Sequence, residues 1–312
     1  MNAAIKVFAG RSHPGLARSI CEHLDLPMGA SEVVKFANDN LMVKILENVR
    51  ESDVFYIQTA TPPVDEHLME MLIAIDALKN ASAARVTAVL PYMPYVRSDK
   101  KDRPRVSIAA RLVADLLQTA GADRVLTMDL HAPQIQGFFR VPADQLVAAP
   151  ILCDYISSTW ETENTVLVAG DAGEAKELGR FANRLNLPMA IVDKRRYGDD
   201  DRAVATNLIG DVDGKHAIVV DDEIATGGTV CEAARFLMDR GALSVAVAAS
   251  HGVLCGPAME QINESVMKEV VVTDTIPLAG KTSSKLRVLS VAPLFAKAIR
   301  RIHDGDSVSD LF

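Results

Sequence analysis

The segment AIVVDDEIATGGT, residues 217–229, gathers residues whose types and spacing could do chemistry. An apolar run delivers two adjacent acids, Asp221 and Asp222, and a small-residue loop follows: Ala225, Thr226, Gly227, Gly228 and Thr229. With a helix opening near Val230, such a loop presents backbone N–H groups at the helix's positive end, a setting suited to a phosphate. Glycines let the chain approach an anion closely, and threonine hydroxyls add donors. The acids cannot bind phosphate themselves; they fit sugar hydroxyls or a divalent cation that prefers oxygen. An acid pair or a glycine turn is common at any helix start. Strand, acids, small loop and helix in succession favour a functional site. The chain has no GxxxxGK[ST], and no GxGxxG follows a strand, so the P-loop and dinucleotide-binding readings fail.

A second group is basic. Lys194, Arg195 and Arg196 end an apolar run and precede an acid-rich stretch, YGDDDR. A basic trio is ordinarily a solvated patch, but its place at a strand end, with an acid-rich sequence after it, marks it for function.

The elements that must hold these residues are legible as alternating apolar runs and helical periods. Strands are expected at 5–9, 54–58, 86–90, 125–128, 166–169, 190–193, 217–220, 245–248, 270–273 and 288–290, rich in valine and isoleucine and apolar on both faces, as covered parallel strands are. Leu68, Met71, Leu72, Ile75 and Leu78 keep one helical stripe, as do Val230, Ala233, Ala234 and Leu237. This alternation implies βαβ units. LLQTAGADRVLTMDLH (116–131) is echoed by FLMDRGALSVAVAASH (236–251) at an offset of 120, each with a glycine (Gly121, Gly241) where a helix C-cap needs positive φ. The expectation is two similar α/β domains, 1–147 and 148–293, with the boundary where VPADQLVAAP loses periodicity.

Composition bounds the rest. The 312 residues carry 33 basic and 41 acidic side chains, a net charge of −8, and the apolar types make up 49%, enough for a real core and too much for a disordered chain. The acidic balance argues against binding nucleic acid through bulk charge. The four cysteines (Cys21, Cys153, Cys231, Cys255) show no metal spacing and read as free thiols of a reducing compartment. No signal peptide or membrane span is expected, which makes the chain a soluble, cytoplasmic protein.

The acid-pair loop resembles the phosphoribosyl-pyrophosphate loop shared by type I phosphoribosyltransferases and ribose-phosphate pyrophosphokinases. Within that superfamily, AVLPYMPYVRSDKKDRPR (88–105), VLTMDLHAPQIQGFF (125–139), DKRR (193–196), SHGVL (250–254), VVTDTIPL (271–278) and the tail RVLSVAPL…IRRIHDGDSVSDLF resemble ribose-phosphate pyrophosphokinases, over roughly the whole chain. The resemblance implies two phosphoribosyltransferase-like domains, each a mostly parallel sheet flanked by helices, with residues 294–312 packing on the first. It implies Mg²⁺-dependent transfer of pyrophosphate from ATP to the anomeric hydroxyl of ribose 5-phosphate, giving phosphoribosyl pyrophosphate and AMP. Asp221 and Asp222 then hold the ribose hydroxyls, and residues 225–229 hold the 5-phosphate. Lys194 and Arg196 are the catalytic cations of a flexible loop, here 194–207, and His131 and Asp171 are the magnesium-associated positions. ATP falls to Arg97, Ser98 and Asp102, with Phe36, Asn38, Asp39 and Asn40 supplied by a neighbouring subunit. The family implies a homo-oligomer, at least a dimer and commonly a hexamer, and control by ADP and phosphate.

Several positions depart from the family pattern. Asn40 stands for a glutamate, Ser98 for a glutamine, Ala225 for an aspartate and Glu174 for a glycine of the loop expected to face pyrophosphate. These departures keep two rivals in view: a catalytically silent regulatory paralogue and a phosphoribosyltransferase. Retention of Lys194, Arg196, His131, Asp171 and Asp221 argues against the first, and the doubled architecture against the second.

Overall fold

The structure, a computed structural model, describes residues 3–196 and 203–311. The chain folds into two compact units: Met1–Val147 with Thr275–Pro277 and Ser290–Phe312, and Ala148–Asp274 with Leu278–Leu289.

In the first unit β1 (Ile5–Ala9) leads to α1 (Pro14–Leu24), and β2 (Ser31–Lys35) pairs with β3 (Leu41–Ile45) as an antiparallel hairpin. Then come β4 (Asp53–Ile57), α2 (Val64–Asn80), β5 (Arg85–Leu90), α3 (Ala109–Ala120), β6 (Arg124–Met128) and β7 (Ala143–Leu146). Five strands form one parallel sheet in the order β1-β4-β5-β6-β7. All five residues of β4 are buried, which explains the unbroken apolar run there. Phe8, Tyr56, Ile75, Leu78, Leu90 and Leu117 fill the core against α2 and α3.

The second unit runs α4 (Ala149–Thr159), β8 (Thr165–Ala169), α5 (Ala175–Leu185), β9 (Met189–Arg196), β10 (Ala203–Ile209), β11 (His216–Ile224), α6 (Gly228–Asp239), β12 (Ser244–Gly252), α7 (Ala258–Glu264), β13 (Glu269–Thr273) and β14 (Leu286–Leu289). Its seven strands lie in the order β10-β9-β8-β11-β12-β13-β14, parallel except for the β9–β10 pair. Val168, Val219, Val247, Leu237 and Ile262 belong to its core. The last helix, α8 (Ala292–Asp304), belongs to the first unit, where Arg300 donates to Leu24 O at 3.0 Å and Arg85 to Ile302 O at 3.0 Å.

The ten expected strands all form. Strands β2, β3, β7 and β10 are additional, and each is an edge or hairpin element whose side chains alternate weakly or not at all between apolar and polar. The loop expected over 194–207 is instead strand at both ends: Lys194 pairs with Ala205 and Arg196 with Ala203, while residues 197–202 lie outside the described residues. Antiparallel pairing satisfies backbone groups that a loop would leave to water. Gly121 is the α3 C-cap with φ +109°, and Gly241 follows the α6 cap with φ +90°, as the echo requires.

Candidate functional site

β11 runs past the expected Val220 to Ile224, so both acids sit on strand, Asp221 in register with Ala249 of β12. On its other side β11 pairs with β8, Val220 opposite Ala169, and β8 stops there. The loops leaving these adjacent parallel strands therefore emerge side by side, where a parallel sheet places its ligands.

The loop after β11 is short and fixed from behind. Ile224 O accepts from Leu254 N and Ala225 O from Cys255 N, both at 2.9 Å, which ties the loop to the chain leaving β12. Gly227 has φ +83° and serves as the N-cap of α6, which begins at Gly228, two residues before the expected start near Val230. It is buried, with its would-be Cβ 3.4 Å from Ala258 Cα at the start of α7. Gly228 and Ala225 are half-buried, and Thr226 and Thr229 are exposed. The loop thus rests its back on α7 while its hydroxyls face solvent at the N-terminus of a twelve-residue helix.

The loop after β8 brings a further acid. Asp171 is exposed, and its Oδ1 accepts from Gly173 N at 2.7 Å, capping a single 3₁₀ turn over Ala172–Glu174. Glu174 turns back: its Oε2 accepts from Gly170 N at 3.1 Å. One carboxylate oxygen from each of Glu174, Asp221 and Asp222 lies within 4.8 Å of the others. Burial pushes the Glu174 carboxyl up to about 7, helped by the charges of Asp171 and Asp222. Burial also raises Asp221 well above the usual carboxylate range, followed by the charge of Glu174 and a hydrogen bond with Asp222. Glu174 and Asp221 therefore both hold their protons to higher pH than ordinary carboxylates do.

Sequence reasoning singled out Glu174 as an odd residue and did not see it joining the acid pair. The signal that could have found it was topological: β8 and β11 are neighbours, so a carboxylate three residues beyond Asp171 can reach Asp221. Lys194 and Arg196 lie on β9, which pairs with β8, so this basic strand end belongs to the same sheet as the acids.

The first unit holds the remaining sequence-predicted residues. Phe36 is 47% exposed at the β2–β3 turn, contrary to the general expectation that a lone phenylalanine after a strand is core. Phe36 N donates to Asn40 O at 2.8 Å, Asp39 adopts φ +64°, and Asn38, Asp39 and Asn40 are all exposed. Arg97 and Asp102 are exposed and Ser98 half-buried, in the long segment between β5 and α3. Ser98 N bonds Tyr95 O at 2.9 Å and Ser98 O accepts from Ala110 N at 3.2 Å, which pins that segment to the start of α3. His131 is exposed just beyond β6. The four cysteines are free. Among the described residues, no helix is long and apolar enough to cross a membrane.

The chain is similar to known proteins along its whole length. A family model described as the N-terminal domain of ribose phosphate pyrophosphokinase matches residues 5–121, and one described as the phosphoribosyl synthetase-associated domain matches residues 199–312. A ribose-phosphate pyrophosphokinase of Caldanaerobacter subterraneus subsp. tengcongensis is 52% identical over 310 residues, 99% of this chain and 98% of that protein. One from Deinococcus radiodurans is 49% identical over 98% of this chain and 97% of that protein. The crystal structure of phosphoribosylpyrophosphate synthetase from Mycobacterium smegmatis superposes with a TM-score of 0.92 at 43% identity, covering 97% of this chain and 99% of that one.

Proposed function

The chain belongs to the ribose-phosphate pyrophosphokinase family, and from that premise we propose how its residues carry out the reaction. The enzyme transfers the pyrophosphoryl group of ATP to the anomeric hydroxyl of ribose 5-phosphate, giving phosphoribosyl pyrophosphate and AMP. The observation that carries the assignment of roles is the convergence of Asp221, Asp222 and Glu174 beside the small-residue loop that opens α6.

Asp221 and Asp222 accept hydrogen bonds from the ribose hydroxyls. The N–H groups and hydroxyls of residues 225–229 take the 5-phosphate, whose charge suits the start of α6. This holds the anomeric hydroxyl in place for in-line attack on the β-phosphorus, and positioning supplies much of the rate in phosphoryl chemistry. Lys194 and Arg196 stabilise the negative charge that grows on the transferring group. Arg97 binds ATP phosphate with Ser98 and Asp102 beside it, and Phe36 stacks on the adenine with Asn38, Asp39 and Asn40 at its edge. Asn40 can both donate and accept, where the family's glutamate only accepts, so this chain discriminates adenine from other bases less strictly.

Mg²⁺ neutralises triphosphate charge when bound. Asp171 suits it as a ligand, being an exposed carboxylate with one oxygen engaged by Gly173 N–H and a second available to a hard cation. His131 is a softer partner, suited to contact phosphate or water in the cation's shell. The two structural units serve as the two domains, one for nucleotide and one for sugar phosphate. The ATP site requires a neighbouring copy, so the protein is a homo-oligomer, a dimer at least and a hexamer in its full form. ADP and phosphate act as effectors, and the enzyme works in the cytoplasm, consistent with four free cysteines.

The test is direct. With ATP, Mg²⁺ and ribose 5-phosphate, AMP and phosphoribosyl pyrophosphate form together, and AMP formation stops without the sugar phosphate. Absence of turnover in a correctly assembled protein would favour the regulatory paralogue.

A further inference from the structure

We propose that the Glu174 carboxylate occupies the anion seat of its own loop and sets how weakly this enzyme holds pyrophosphoryl-bearing ligands. The proposal rests on the reading above, that the loop after β8 faces the transferred group.

The geometry is specific to the acid at this position. Gly170 is buried at the end of β8, and its N–H, which points into the loop, is taken by Glu174 Oε2 at 3.1 Å. Gly173 N–H is taken by Asp171 Oδ1 at 2.7 Å. Two of the loop's own donors are thus spent on the loop's own carboxylates. Backbone N–H groups arranged this way at the end of a strand are what a phosphate would otherwise use. A glycine at this place would leave the donor at Gly170 with no competing side chain. Here the incoming pyrophosphoryl group must displace Glu174 and then remain near its charge. The displaced carboxylate cannot withdraw freely towards the sugar site, because Asp221 and Asp222 stand within 4.8 Å of it.

Ribose 5-phosphate is affected differently. Its hydroxyls meet Asp221 and Asp222, and its phosphate meets the α6 loop, away from Gly170. Glu174 therefore discriminates between ligands: it weakens inorganic pyrophosphate and phosphoribosyl pyrophosphate and leaves ribose 5-phosphate nearly untouched. For the forward reaction this favours release of product over its retention. The expected size is about tenfold, the scale of one like charge a few ångströms away in an open site screened by water.

The experiment measures dissociation constants for inorganic pyrophosphate, phosphoribosyl pyrophosphate and ribose 5-phosphate by calorimetry in Mg²⁺, on the wild-type oligomer and on Glu174→Gln and Glu174→Gly. Glu174→Gln keeps an acceptor for Gly170 N–H and loses the charge; Glu174→Gly frees the donor as well. Pyrophosphate and phosphoribosyl pyrophosphate should bind about tenfold tighter to Glu174→Gln and tighter still to Glu174→Gly, with ribose 5-phosphate changed less than twofold. Unchanged pyrophosphate affinity in both variants overturns the proposal. Weaker affinity also overturns it, by showing that the carboxylate helps the ligand through the cation. Wild-type AMP formation is run in parallel: if AMP forms and the affinities stay fixed, this inference alone falls, whereas no AMP removes the reading on which it rests and the inference with it.

Discussion

The two units treat acids withdrawn from water in opposite ways. In the first, Glu70 is fully buried and accepts from both the backbone N–H and the guanidinium Nε of Arg11, at 2.8 and 2.7 Å. Asp53, nearly as buried, takes Arg85 Nε at 2.8 Å, and His303 Nδ1 lies 2.8 Å from its other oxygen. That second pair ties the start of β4 to β5 and to α8, so its charge does structural work. In the second unit half-buried acids are gathered against one another, and desolvation with their mutual charge raises Glu174 and Asp221. A buried carboxylate kept with an arginine costs several kcal/mol to disrupt, because the partner is stranded. A carboxylate cluster is a cost carried by the folded state, relieved when hydroxyls or cations arrive, and such perturbed groups concentrate at functional sites.

If the second unit's charges serve a reaction, its cations should matter to turnover more than to folding. Lys194→Ala should lower kcat about a thousandfold, the upper range for losing one preorganised donor to a transition state. KM for ribose 5-phosphate should stay within a few-fold, read in the AMP assay. A loss carried mainly by KM would remove Lys194 from its assigned role.

The next effect breaks the comparison if it fails. Asp53→Asn strands Arg85 and should cost about 3 kcal/mol in urea unfolding, while activity per folded molecule is kept. Asp221→Asn removes one of three crowded carboxylates, so stability should hold or rise by about 1 kcal/mol as the repulsion falls. Its activity should fall about a hundredfold through the lost ribose contact. If Asp221→Asn unfolds and Asp53→Asn does not, the division between structural and functional acids is wrong.

How much of this contrast could be read in the sequence differs by residue. Asp221 and Asp222 were visible because a strand, a small-residue loop and a helix follow one another within thirteen residues. The parallel core strands were visible because both faces are buried, which leaves continuous valine-rich runs. Strand β7, with sequence ADQL, had no such run: it is a short edge strand in which only Leu146 is buried. The β2–β3 hairpin was missed because it lies outside the five-stranded sheet and shows weak alternation. Glu174 was visible as a departure, and its partners were not, because they come from a strand fifty residues away in sequence that pairs beside its own. Pairing of Asp53 with Arg85 and His303 was out of reach for the same reason: no local pattern encodes partners 32 and 250 residues apart.

A pH measurement sharpens the contrast at smaller scale. Glu174 has a folded-state pKa near 7, above the ordinary glutamate value of 4.5. The folded state therefore binds more protons than the unfolded state between those values, and stability falls as pH rises from about 4.5 to 7. Above that window the penalty is complete. Glu174→Gln abolishes this contribution, so the variant should be more stable than wild type at pH 8, by about 3 kcal/mol, and show a flatter profile below it. Urea midpoints at several pH values read this. Parallel profiles would show that Glu174 titrates normally and that the cluster carries no such strain.

The smallest expected effect compares two glycines at positive φ, one in each unit. Gly121, at φ +109°, sits where an added Cβ would lie 2.7 Å from Lys79 Cγ, and Lys79 is held by its ion pair with Asp123 at 2.9 Å. Gly121→Ala should therefore cost about 2 kcal/mol, from backbone strain plus displacement of that side chain. Gly227, at φ +83°, would place its Cβ no closer than 3.4 Å to any atom, an ordinary contact. Only the left-handed backbone is penalised there, so Gly227→Ala should cost about 1 kcal/mol. The functional consequences should run the other way. Gly121 ends a helix in the first unit, and its substitution should leave KM for ribose 5-phosphate unchanged. Gly227 aims the N–H groups at the start of α6, and relaxing its φ should turn them off the 5-phosphate and raise that KM several-fold. A KM that rises only with Gly121→Ala would mean that the α6 loop does not seat the sugar phosphate, because the one glycine whose conformation shapes that loop would have no bearing on it.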